Sequence, residues 1–207
     1  MPEAVSFVYP LTMPARPGFR EIVWEMESVI GVTTSPFTFA QQTFAWPGQR
    51  FAATIRLPPL PPALAREWFG FFAALNGQEG TFYLSDSASL RLAAGENLGM
   101  PEVDGDHGGG AQLMTRDWPA NRLELLKAGD LLEIAGRLRR VCFSTNSDND
   151  GKAILTLWPH VRACDDCTPI EWLHPKGIFR MTGMPPLTWG VNQLMDGITF
   201  GCIEALS

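Results

Sequence analysis

The sequence predicts a mainly β protein: a β-sandwich domain with one helix, interrupted by an inserted small β-barrel domain. Three observations predict it. Short apolar runs bounded by glycine, proline and asparagine recur over residues 19–57, 127–162 and 177–206, which is the pattern of strands joined by tight turns. Only residues 62–76 carry apolar side chains at helical spacing. Between Asp86 and Asp130 glycines accumulate and the character of the chain changes, as at a domain junction. The expected division is 1–87 plus 176–207 for the sandwich and 88–175 for the barrel.

Composition narrows the function. At 207 residues, with 45% hydrophobic and 11% aromatic content, the chain can bury a sizeable core in one large or two small domains. Only 18% of residues are charged, low for a chain surrounded by water, which points to surface covered by partners. A net charge of −6 and a pI near 5.1 argue against sequence-independent nucleic-acid binding, which needs a basic face. No run approaches the ~18 apolar residues of a membrane span, so no membrane insertion is expected. The opening MPEAVSFVYP lacks a basic n-region and a long apolar core. The expectation is a soluble protein that stays in the cytoplasm.

In chain order, Phe19 to Ile30 alternates in part, with Ile22, Trp24 and Met26 on one face. Thr33 to Pro36 reads as a turn, Thr38 to Trp46 as the next strand, and Pro47-Gly48 as a second turn. Arg50 to Leu57 answers as a hairpin partner, alternating Phe51, Ala53, Ile55 and Leu57. Trp24, Phe44, Trp46 and Phe51 read as core or interface aromatics rather than a ligand cage. Pro58 to Pro62 is a stiff turn into the helix, where Pro62 suits the first helical position. Leu64, Trp68, Phe71, Phe72 and Leu75 share its wide apolar face, and Asn76-Gly77 tolerates a left-handed cap. Gly80 to Leu84 is the strand that follows.

In the insert, Leu131 to Ile134 and Leu138 to Phe143 flank Ala135-Gly136. Ser144 to Gly151 is a polar turn in which Asp150-Gly151 supplies a positive-φ pair, and Ala153 to Trp158 returns. Trp158-Pro159 is expected to end the ladder, because proline has no N–H to donate. After the insert, Gly177 to Met181 and Gly197 to Leu206 read as strands, the second with Ile198, Phe200 and Cys202 inward. A proline-rich loop holding Trp189 joins them.

The search for chemistry yields little. None of His107, His160 and His174 sits in a nucleophile elbow, a zinc-protease helix or a redox helix, so no enzyme and no cofactor is expected. Asn146, Asp148, Asp150 and Gly151 imitate the opening of a calcium loop, but Leu157 stands where a bidentate glutamate is needed. Asp104, Asp106 and His107 could suggest a metal, but they read as a flexible turn rather than a metal site. Cys164 and Cys167, flanked by His160 and His174, are the candidates for zinc. All four lie within one short stretch with Pro169 between them, so a polar loop with two thiols is the preferred reading and a disulfide the least favoured.

Several stretches together resemble a known family. GDLLEI, GRLRRV and KAILTLWPHVR around a DNDG turn are joined by SPFTFAQQTFAWPGQ, LPPLPPALAREWFGFFAALNGQEGTFYLSD and PKGIFRMTG. Taken in chain order they run from Ser35 to Gly183, and in that order they resemble the distal tail proteins of long-tailed bacteriophages with non-contractile tails. The resemblance implies a structural virion protein at the tail tip, with an OB-like inserted barrel and no catalytic residues. It implies copies joined in a ring, hexameric in the family, that connects the tail tube protein to the tip or baseplate hub protein, with the tape-measure protein as a further candidate partner. The alternative reading is a carbohydrate- or cell-surface-binding module that uses the small barrel.

Overall fold

The computed structural model describes residues 7–86, 97–190 and 195–206. The described residues are mainly β with one helix, and their strands form two antiparallel sheets. Two compact units are present. One comprises Met1–Glu25, Ala52–Ser85 and Lys176–Ser207; the other comprises Met26–Phe51 and Asp86–Pro175. Residues 26–51, placed with the sandwich by the sequence pattern, therefore cluster with the barrel. The expected junction at residues 87–88 lies outside the described residues.

β1 (Glu21–Thr34), β2 (Gln41–Arg56), β11 (Thr199–Glu204), β10 (Gly177–Met181) and β3 (Phe82–Leu84) form a sheet in that order, of which the first unit holds β1 up to Glu25, β2 from Ala52, and β11, β10 and β3. The register places Ile55 opposite Phe200, Ala53 opposite Cys202, Met181 opposite Cys202 and Phe179 opposite Phe82. Residues directly opposite share a face, so these side chains line one side of the sheet, and all are buried.

The helix α1 (Pro62–Leu75) packs on that side. Pro62 begins it, Asn76 closes it in the left-handed conformation at φ 48°, and Ala65, Trp68, Phe71, Phe72 and Leu75 are buried. Trp68 and Phe72 meet Phe200 at ring distances of 6.1 and 5.3 Å, and Phe71 meets Phe82 edge-on at 5.7 Å. The Trp68 indole N–H donates to the Arg16 carbonyl at 3.2 Å, so its one polar atom is satisfied inside the core. Arg66 and Glu67 face outward.

The second unit holds β4 (Glu102–Val103), β5 (Gly110–Arg116), β6 (Leu131–Ile134), β7 (Arg137–Val141), β8 (Ala153–Val161) and β9 (Ile170–Glu171), ordered β4-β5-β8-β7-β6-β9. The two end strands meet. Val103 N–H donates to Thr168 O at 3.0 Å, Ile170 N–H to Pro101 O at 2.9 Å and Cys167 N–H to Val103 O at 3.1 Å. The sheet is thus a nearly closed barrel, filled by Leu113, Leu132, Ile134, Leu155, Leu157, Ile170 and their neighbours. Closure protects the edges that an open sheet would leave.

Two expected breaks are continuous strand instead. Pro47-Gly48 lies inside β2, which runs from Gln41 to Arg56. β11 pairs only with Ala52 to Arg56, so at Pro47 that edge asks for no ladder donor and proline is tolerated. β8 likewise continues past Trp158-Pro159 to Val161. There the pairing jumps from Gln112↔Thr156 to Gly110↔Val161, and this irregularity absorbs the proline. At Ala135-Gly136 both residues have positive φ, whereas at 150–151 only Gly151 does, at 71°. Gly151 is also required by space, because a Cβ there would stand 2.4 Å from the Trp118 carbonyl oxygen.

Candidate functional site

The zinc candidates do not converge. Among the described residues no three histidine, cysteine, aspartate or glutamate side chains are grouped to hold a metal ion. His160 and His174 are exposed, and the structure ties down their backbones: His160 N–H donates to Gln49 Oε1 at 2.8 Å and His174 N–H to Glu171 Oε1 at 2.9 Å. Cys164 is half-buried, and burial, followed by the neighbouring Asp165 charge, raises its thiol pKa. Cys167 is exposed, with its thiol pushed up first by its hydrogen bond to Asp166.

The CDDC loop has another task, which sequence reading missed. His107 and Cys164 exchange backbone hydrogen bonds at 2.9 and 3.0 Å. Asp166 accepts the Gly105 N–H at 2.8 Å, and its own N–H donates to Asp106 at 3.0 Å. Arg116 sits between the two loops, donating to Glu102 at 2.6 and 2.8 Å, to Asp104 at 3.1 Å and to the Cys167 sulfur at 2.9 Å, and lying 3.1 Å from Asp166. Lys152 reaches Asp104 at 2.7 Å. The Lys152 bond, then that from Arg116, holds the Asp104 carboxyl below its ordinary range. The Gly105 amide, then Cys167, does the same for Asp166. Residues 104–107 and 164–167, each metal-like alone, are the two lips of the barrel seam.

A different surface stands out. From Ser28 to Gln49 the chain carries no charged residue, and this is the outer part of β1 and β2 with the turn at 36–38 between them. Ser35 fixes the turn, its N–H donating to Ala40 O at 2.9 Å and its carbonyl accepting from Phe39 N–H at 3.0 Å. Phe37 is 93% and Phe39 79% exposed at the tip. Phe44, Trp46, Met26, Val29, Ile30 and Val32 are also exposed. At its base this hairpin is fastened by Phe51, which stacks edge-on against Trp158 at 4.9 Å.

No protein-family model matches this chain, and no curated protein matches it. Among the described residues, no helix is long and apolar enough to cross a membrane.

The barrel wall carries the other apolar feature. Met114 and Ile154 stand opposite each other on β5 and β8 and are both exposed. They line a groove of about 660 Å³ that also includes Thr115, Ala153, Asn146 and Asp148. The barrel's Trp118 and Trp172 are buried, and their indole N–H groups donate to Thr115 and to Gly99 O. Neither offers an open ring for a sugar to stack on.

Proposed function

We propose that this chain is a structural virion protein of a long-tailed bacteriophage, a distal tail protein whose copies form a ring between tail tube and tip hub. The observation that carries the reading is the uncharged, apolar hairpin from Ser28 to Gln49, which its own chain leaves exposed. Contiguous exposed apolar patches rimmed by polar residues mark interaction surfaces. The low charged fraction agrees with a surface largely spent on contacts. The order of sequence stretches resembling distal tail proteins supports a ring at a phage tail tip as the assembly. Its neighbours would be further copies, the tail tube protein and the tip hub protein.

The test is the mass of the purified protein by light scattering, paired with negative-stain images. Rings support the reading. A monomer that binds bacterial polysaccharide would replace it with the surface-binding module.

A further inference from the structure

We propose that the hairpin tip docks on a second copy of this chain, with Phe37 and Phe39 entering the apolar groove on the outer wall of that copy's barrel. The proposal rests on the ring reading and names the contact that would build it. Phe37, Phe39, Phe44 and Trp46 are 93, 79, 51 and 55% exposed. At 150–250 Å² per aromatic side chain, they offer roughly 400–700 Å². A standard interface covers about 800 Å² on each partner, and Met26, Val29, Ile30 and Val32 beside them supply the remainder.

Charge selects the occupant. Copies with a net charge of −6 repel, so they approach best through surface that carries none, and Ser28 to Gln49 is such surface. The groove matches it. Met114 and Ile154 line it with apolar surface, and the charges around it are engaged within the chain: Lys152 with Asp104, and Asp148 Oδ1 with the N–H groups of Asp150 and Lys152 at 2.9 and 2.8 Å. An uncharged aromatic tip entering there leaves each of these ions with its own partner, which limits the cost of covering them. A lipid surface fits less well. The charges flanking the hairpin in sequence are Glu21, Glu25 and Glu27 against Arg50 and Arg56, with Arg140 over the Phe51 ring at its base, a mixed set rather than the basic cluster that anionic headgroups need.

Tip and groove are different surfaces of one chain, so the contact is head-to-tail. Such contacts close into rings or run on into filaments.

The experiment uses two full-length variants, Phe37→Glu with Phe39→Glu, and Ile154→Glu alone. Circular dichroism checks the fold and light scattering reads the mass. Each variant alone is expected to be monomeric. An equimolar mixture is expected to give a one-to-one dimer, because the tip variant keeps a good groove and the groove variant keeps a good tip. A tip variant that still forms the wild-type ring overturns the docking while leaving the ring reading standing. A groove variant that still forms rings, or a mixture that stays monomeric, overturns the pairing of tip with groove. Wild-type protein that is monomeric at every concentration overturns both readings. If it then sediments with phosphatidylcholine–phosphatidylglycerol vesicles, the hairpin is a membrane anchor.

Discussion

The Asp166 carboxylate accepts the Gly105 N–H at 2.8 Å, although the two residues lie 61 positions apart. This bond and the Arg116 ion pair favour the ionised carboxylate, as Lys152 and Arg116 do for Asp104.

Both carboxyls have folded pKa values below the ordinary 3.8. Their stabilisation is therefore complete above the unfolded value and is lost as pH falls through the depressed folded values. Asp166→Asn should lower the melting temperature at neutral pH. The gap from wild type should close as both are taken below pH 3.8. A gap that persists undiminished in acid would show that the bond's value is not ionic.

Trp68 is fully buried against Phe71, Phe72 and Phe200. Trp68→Ala should destabilise by about 3–5 kcal/mol, the range for removing a large core aromatic. Arg66→Ala, on the exposed side of α1, should stay within about 0.5 kcal/mol. Urea melts followed at a far-UV wavelength decide this. A Trp68→Ala protein that melts like wild type but fails to assemble would make the aromatic stripe an interface.

Cys164→Ser combined with Cys167→Ser should leave melting nearly unchanged, and a chelator should not alter either protein. A structural zinc site would contribute enough folding energy for its loss to unfold a small unit. A large drop in melting temperature, reproduced on wild type by a chelator, would restore the four-ligand zinc reading.

What was legible in the sequence was local. The helix announced itself through Pro62, the spacing of Trp68, Phe71, Phe72 and Leu75, and the Asn76-Gly77 cap. Phe51 to Leu57 and β10 were legible because alternation reports one buried face. Pro47 and Pro159 misled because a proline ends a strand only where its neighbour needs a donor, and pairing partners are not visible in a single strand. The seam was hidden for a related reason: Gly105 and Asp166 become neighbours only when β4 and β9 close the barrel. The apolar tip could be read as residues but not as exposed ones, since Phe37 and Phe51 look alike until the fold buries one of them.

The absence of charge between Ser28 and Gln49 fixes how the hairpin answers to ionic strength. Screening weakens attractions between exposed ions over a Debye length of ≈10 Å at 0.1 M salt, and this hairpin has none to weaken. Copies of an acidic chain, by contrast, lose some of their mutual repulsion as salt is added. Association through this surface should therefore tighten with added salt, most of all with excluded anions such as sulfate, while the Arg116 ion pairs of the barrel seam loosen under the same conditions.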